Sequence, residues 1–280
     1  MQLPENPAAT SASLPLTVFH ADHYRRHNQR RQEHLASLGL DLSGKSVLEV
    51  GAGVGDHTSF FLDRGCRVVA TEPREESLAL LRGRFPQVET HRLDLDAPLA
   101  APGRTFDVVY CYGTLYHLSR PAEALRYLRA CCHGLLLLET CVSFSQADSV
   151  NLCAEAQGDP SQSVHGMGCR PGRAWLLQQL RALFPHVYVP RTQPSHEEFP
   201  LDWRGAPPPN PTGLHRAVFV ASSFAISNPL LLDHLPDRQH HHGSPRMRST
   251  RGLFDVIPKP QTPIVVLDIG ALTLGRHTEP

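Results

Sequence analysis

The run Glu49-Val-Gly51-Ala-Gly53-Val-Gly55-Asp56 constrains this chain more tightly than any other segment. Ahead of it stands Ser46-Val-Leu-Glu-Val50, short and apolar with strand character; behind it comes a helix-like stretch carrying Phe60, Phe61 and Leu62. A glycine-rich turn between a strand and a helix lets backbone come close to a ligand, because glycine has no Cβ to obstruct a sharp turn. The spacing is Gly-x-Gly-x-Gly, with a carboxylate two residues before the first glycine. Turns that seat a dinucleotide pyrophosphate read Gly-x-Gly-x-x-Gly instead. A carboxylate in front of the turn repels pyrophosphate and suits a zwitterionic amino acid moiety.

The segments around this turn alternate strand-like and helix-like up to about Ile226, the pattern of an α/β sheet with helices on both faces. Strands are expected at Ser46–Val50, Arg67–Thr71, about Val88–Leu93, Phe106–Cys111, Leu135–Leu138, Val187–Val189 and Arg216–Ala221. Helices are expected after the first two strands, over Pro121–Ala130 and over Arg173–Phe184, the last with Trp175, Leu176, Leu177 and Leu180 on its apolar side. The fold class is therefore α/β: a doubly wound, seven-stranded, Rossmann-like sheet. Residues 1–44 form an N-terminal arm or lid, with a largely polar helix from His20 to Leu38. Residues 45–227 form the domain proper. Residues 228–280, rich in Pro, His and Arg, read as a linker and tail.

Lys plus Arg and Asp plus Glu both number 27, so net charge offers no general attraction for nucleic acid or anionic membrane. No apolar run approaches the ~20 residues a membrane-spanning helix needs. Met1–Thr17 lacks the basic-then-apolar order of a secretory signal. Seven cysteines without a Cys-x-x-Cys pair fit reduced thiols in a cytoplasm.

Glu72 closes the second strand, 23 residues after Glu49 (72 − 49), where a carboxylate can accept both hydroxyls of a ribose. With this acid, Asp94-Leu95-Asp96 and Phe106-Asp-Val-Val-Tyr-Cys-Tyr112-Gly-Thr-Leu-Tyr116-His117, the chain resembles the class I S-adenosylmethionine (SAM)-dependent methyltransferases. The resemblance covers about two-thirds of the chain, with four motifs in order. It implies SAM as cofactor, with Glu49, Gly51, Gly53 and Gly55 around the methionine end and Glu72 on the ribose. It further implies Asp94 and Leu95 at the adenine and Tyr112 near the transferable methyl.

Ligands of open α/β sheets bind beyond the carboxyl ends of the strands, so acceptor chemistry is sought in the segments that follow them. His117 is a candidate base, or a structural histidine, with Tyr116 beside it. Glu139, at the end of an apolar strand, is costly to bury without a partner or a task. The long loop from Thr140 to Pro171 holds Glu155, His165 and Arg170. Between the last two strands, His196, Glu197, Glu198, Asp202 and Trp203 suit a polar acceptor. His117, Tyr116, Glu139 and His196 are thus the catalytic candidates, and Arg170, Glu197, Trp203 and Arg216 the substrate contacts. No metal is expected, since no His or carboxylate spacing is diagnostic; His240–His242 reads as a solvated tract and Cys131-Cys132 as core.

The region from Gly113 to Ala221 is also similar to the tRNA wobble-uridine carboxymethyltransferases, through Leu115-Tyr116-His117, Leu138-Glu139-Thr140 and Arg216-Ala217-Val218. That likeness implies Tyr116 and Arg216 on the carboxylate of carboxy-SAM, with tRNA as partner. The family's further lysine contact has no recognisable counterpart here. A small-molecule acceptor modified at oxygen or nitrogen is the leading expectation, tRNA modification the second, and a non-catalytic SAM-binding protein the third. In the tail, Pro263-Ile-Val-Val-Leu-Asp-Ile-Gly270 resembles the opening strand of an FkbM-type methyltransferase, as the start of a truncated second domain or as an added edge strand.

Overall fold

A computed structural model describes residues 15–97, 102–144 and 149–243. The tail motif at 263–270 lies outside the described residues. Strands β1 (Ser46–Val50), β2 (Arg67–Glu72), β3 (Glu89–Arg92), β4 (Phe106–Tyr112) and β5 (Cys132–Cys141) alternate with helices. These helices are α2 (Thr58–Leu62), α3 (Glu75–Arg84) and α4 (Pro121–Cys131), preceded by α1 (Asp22–Ser37). The chain continues through β6 (Leu152–Ala154), β7 (Met167–Cys169), α5 (Arg173–Leu183), β8 (His186–Pro190) and β9 (Thr192–Gln193). It ends with β10 (Arg216–Ser222), β11 (Leu231–Leu232) and β12 (His240–His241).

The main sheet runs β11-β8-β10-β5-β4-β1-β2-β3. β1 to β5 are mutually parallel, and β10 enters antiparallel between β5 and β8. The sheet thus has eight strands where seven were expected. The eighth, β11, is two residues long and pairs with Pro190 and Val189 of β8, too short to leave a periodic signal.

Alternate residues of each strand feed two separate cores, as the period of two requires. Leu48, Val109, Leu136 and Leu138 face Leu125 and Leu128 of α4 and Leu176 and Leu180 of α5. Val47, Val108, Leu135 and Leu137 face Leu35 of α1, Phe60 and Phe61 of α2, and Leu81 of α3. Burial on both faces explains why β5 reads as an unbroken apolar run, Leu135 to Leu138. Cys131 and Cys132 are buried in the first of these cores.

The chain forms one compact unit up to His242, beyond the boundary expected at residue 227. Asn228 Nδ2 donates to Leu38 O, Leu231 is buried, and β12 pairs with β9 in parallel. The histidine tract is accordingly part of the domain and not a solvated linker: His240 and His241 form β12. Among the described residues, no helix is long and apolar enough to cross a membrane.

Candidate active site

The glycine turn closes the carboxyl end of β1. Gly51 has φ +66°, and a Cβ built there would lie 2.1 Å from Thr114 Oγ1, which itself donates to Val50 O at 3.1 Å. The turn after β1 is thereby seated on the turn after β4, and any side chain at position 51 would part them. Gly53 N donates to Glu72 Oε2 at 3.0 Å, and Arg74 N donates to Glu72 Oε1 at 3.2 Å. Glu72 ties the glycine turn to the end of β2 before any ligand arrives. Gly55 serves differently from its expected role: it is absent from the cavity wall, and its missing Cβ makes room for the Phe85 ring, 2.9 Å away, and Leu81.

A single cavity with about 1120 Å³ of empty space, partly open to solvent, lies over this turn. Glu49, Gly51, Gly53 and Glu72 line one side, and Asp94 and Leu95 continue the wall. Tyr112, Tyr116, His117 and Arg216 line the side beyond β4. Burial pushes both the Glu49 and Glu72 carboxyls up to about 7; Thr58 Oγ1, donating to Glu49, and the backbone donors on Glu72 act in the opposite direction. Four buried polar atoms of lining residues make no hydrogen bond among the described residues: Tyr112 Oη, His57 Nε2, Arg31 Nε and His27 Nε2. Two buried acids near neutrality, orphaned donors and an open glycine turn fit a ligand that is cationic at one end and carries hydroxyls at the other.

Opposite the glycine turn stands a histidine–carboxylate pair. His117 Nδ1 and Glu155 Oε2 are 2.5 Å apart. Glu155 is held in place by Arg170 Nη1 and Nη2, each 3.1 Å from Oε1, and by Ser163 N at 2.8 Å from Oε2. Burial lowers the His117 pKa, while Glu155 opposes that shift. At neutral pH the imidazole is therefore uncharged. With Nδ1–H directed to Glu155, its Nε2 lone pair is left to accept a proton.

Beneath this pair lies a buried charge cluster. Glu139 is fully buried and accepts from Arg31 Nη1 at 2.9 Å and from Arg216 Nη1 at 3.1 Å. Arg216 also donates Nε to Glu198 and Nη2 to the Tyr116 hydroxyl at 3.1 Å. Glu139 is therefore an anchor for two guanidiniums and no free base, a correction of the role expected from its place at the end of β5. The cost of burying it is met by pairing.

Other expected contacts also lie elsewhere. His196 is buried beside His27 and is not part of the cavity wall. Glu197 pairs with Arg26 near the surface, with Arg26 Nη1 at 2.8 Å. Trp203 is buried, donates Nε1 to Gln239 Oε1 at 2.8 Å, and is sandwiched by Phe144 and the Arg173 guanidinium. Arg170 supports Glu155 and also donates to Tyr116 O at 3.2 Å without lining the cavity.

Several residues of the site lie in segments that carry no motif. Helix α1 presents His27, Asn28 and Arg31 to the cavity, and Phe19 ahead of it covers Gly53 at 3.4 Å from the position of an added Cβ. Asp56 fastens this cover, receiving His20 Nε2 at 3.2 Å, Asn28 Nδ2 at 3.3 Å and Arg84 Nη1 at 2.8 Å. A stripe at His27, Arg31 and His34, one face of a helix by spacing, was the available signal. The loop after β6 closes the side of the cavity that Asp94 and Leu95 line. Arg74 Nη2 donates to the carbonyls of Gln157, Asp159, Gln162 and Ser163 at 3.1 to 3.2 Å, and His165 Nε2 meets Asp94 Oδ2 at 2.7 Å.

Residues 21–156 match the family described as "Methyltransferase domain". Curated relatives include the tRNA U34 carboxymethyltransferase of Shewanella loihica, 31% identical over 157 residues, covering 53% of this chain and 46% of that protein. A probable S-adenosylmethionine-dependent methyltransferase of Mycobacterium tuberculosis is 30% identical over 149 residues, covering 49% of this chain and 53% of its own length. The chain thus spans about half the length of these relatives. Among solved structures, the N-terminal domain of EvdMO1 with SAH and D-fucose superimposes with a TM-score of 0.53 at 22% identity, covering 72% of this chain and 84% of that one. The last comparison concerns the fold.

Proposed function

We propose that this chain is an active class I SAM-dependent methyltransferase that methylates a small polar acceptor at oxygen or nitrogen. The observation that carries the reading is one cavity lined by the glycine turn with Glu49 and Glu72 and also by His117, whose Nδ1 is held by Glu155 behind the wall. When bound, S-adenosylmethionine supplies an electrophilic methyl group on a sulfonium. Glu49 and Glu72, as carboxylates, would offer negative charge toward the methionine moiety and acceptor oxygens to the ribose hydroxyls. His117 accepts the proton that the acceptor oxygen or nitrogen gives up as its lone pair forms the new bond to carbon. Glu155 holds the imidazole in the tautomer that can do so. Helix α1 and the loop from Glu155 to His165 exclude water from the reacting centre. The free thiols of this chain accord with a reducing, cytoplasmic setting.

The test is calorimetric titration with S-adenosylhomocysteine, followed by incubation of the protein with labelled methyl donor and fractionated small-molecule extract. Binding and a labelled product of low mass are expected. A chain that binds neither SAM nor S-adenosylhomocysteine at millimolar concentration would dispose of the reading.

A second reading, tRNA carboxymethylation from carboxy-SAM, is favoured by the Tyr116–Arg216 contact on the cavity wall and by the tRNA U34 relatives. Against it, Glu139 and Glu198 already compensate the Arg216 charge. Competition binding decides between the two: tighter binding of carboxy-SAM than of SAM, with salt-dependent tRNA binding, would replace the first reading with the second.

A further inference from the structure

Helix α1 brings His27 against the segment that follows β9, where His196 and Glu198 stand. All three are about nine-tenths buried or more, each 5% exposed. The two imidazole centroids lie 4.8 Å apart, and His27 Nε2 is 3.8 Å from Glu198 Oε2. One potential ligand atom from each residue falls within 4.8 Å of the other two. Neither His27 Nε2 nor His196 Nε2 makes any hydrogen bond. Buried imidazole nitrogens are ordinarily paired, since leaving them unpaired costs free energy that folding must make up elsewhere. Two of them without a hydrogen bond among the described residues, with Glu198 3.8 Å from the first and Glu197 3.7 Å from the second, is an uncommon arrangement for a purely structural cluster.

Imidazole nitrogen and carboxylate oxygen are the donor types that zinc-class ions take, and two histidines with one glutamate is a known three-ligand set. We propose that His27, His196 and Glu198 form a binding site for one zinc-class divalent ion, which clamps the α1 lid to the β9–β10 segment. Burial keeps both imidazoles uncharged, the form that coordinates a metal.

The neighbouring groups are compatible with this site. Arg216 Nε and Thr212 Oγ1, the latter at 2.8 Å, donate to the two oxygens of Glu198. Each carboxylate oxygen has a second lone pair, and outer donors of this kind orient a coordinating carboxylate. Glu198 N approaches His196 Nδ1 at 3.3 Å, a long contact. Coordination gives up this contact in either tautomer: through Nε2 the ring carries its proton on Nδ1, which then no longer accepts from Glu198 N, and through Nδ1 the metal replaces that donor. Glu139 and Glu198 together balance the Arg31 and Arg216 charges, and Glu139 is paired with both guanidiniums.

The experiment uses the full chain without an affinity tag, stripped with a chelator, dialysed and titrated with zinc. Elemental analysis after desalting should give one ion per chain, and saturating zinc should raise the melting temperature by about 5 °C or more. Cobalt in place of zinc should give a visible spectrum of nitrogen and oxygen ligation, without the charge-transfer band of a thiolate. H27Q, H196Q and E198Q should each weaken zinc binding at least about 100-fold; H27Q and H196Q should melt in chelator near the wild type, whereas E198Q, which also strips Arg216 of a buried carboxylate, should melt lower. The triple variant H240Q/H241Q/H242Q should keep the ion. The proposal is overturned if no stoichiometric ion binds below about 10 μM zinc, if a thiolate band appears, or if H27Q and H196Q bind as the wild type does. Should a variant fail to fold, the wild-type stoichiometry and cobalt spectrum decide between the same outcomes.

Discussion

Replacing Glu72 by glutamine should strengthen the free protein and weaken its hold on cofactor. Glu72 is 6% exposed, and burial pushes its carboxyl up to about 7 from a model-compound value of 4.5. A carboxyl whose pKa is raised by folding favours the protonated native state. Stability is therefore reduced as pH rises from the unfolded value through the folded one, and the reduction is complete above about pH 7. A shift of roughly 2.5 units corresponds to about 3 kcal/mol at about pH 8, but only about 1.4 kcal/mol at about pH 5.5. Glutamine abolishes this pH-dependent cost. Its amide oxygen replaces one acceptor, but its NH2 faces one of the donors Gly53 N and Arg74 N and returns about 1–2 kcal/mol of the gain. The difference in urea stability between Glu72→Gln and wild type should thus shift in favour of the variant by about 2 kcal/mol between about pH 5.5 and about pH 8. Affinity for S-adenosylhomocysteine, read by calorimetry at about pH 8, should fall by roughly 1.5–3 kcal/mol as the charged acceptor for the ribose is lost. A stability difference that does not change with pH would refute the buried ionisation, and an undiminished affinity would place the ribose on another residue.

Three further outcomes follow from the site. Because ligand binding favours the ionised forms of Glu49 and Glu72, both raised to about 7, binding near neutral pH should release protons and tighten between about pH 6 and pH 8. Calorimetry in buffers of different ionisation enthalpy reads the release directly, and an identical heat in all of them would contradict it. Arg31→Met should lower urea stability by about 3–5 kcal/mol, since it strips a buried carboxylate of one of its two guanidiniums; a loss below about 1 kcal/mol would mean that the Arg31–Glu139 contact does not hold helix α1 to the sheet. His117→Asn should slow methyl transfer by about 10²–10⁴-fold and leave S-adenosylhomocysteine affinity unchanged, whereas full turnover would reduce His117 to a structural residue.

Much of the cofactor side was legible in order along the chain. Glu49, Gly51, Gly53, Glu72, Asp94 and Leu95 are set by the ends of consecutive parallel strands, so strand periodicity and glycine spacing locate them together. The acceptor side was not legible in this way. Glu139 was expected to act on a substrate because it closes an apolar strand at the mouth of the sheet, yet Arg31 arrives from 108 positions away and pairs with it; Arg216, singled out by resemblance, does line the cavity. His196 and Trp203 looked like a gripping surface, but their partners, His27 and Gln239, belong to segments with no periodic signal of their own. Helix α1 was readable as an arm through Leu35 and Leu38, while its polar stripe was harder to interpret. Buried polar residues do not announce themselves by hydropathy.

The amino-acid sequence by itself determined where the first strands lie along the chain, the glycine turn and the acids at or near the ends of β1 and β2, because these follow from backbone sterics and local alternation. Only the tertiary structure decided which charges meet. It turned Glu139 from a candidate base into an anchor, joined His117 to Glu155, and carried residues 228–242 onto the domain. Ion pairs and hydrogen bonds between distant segments depend on how close the folded chain brings them, and no spacing along the sequence encodes that distance.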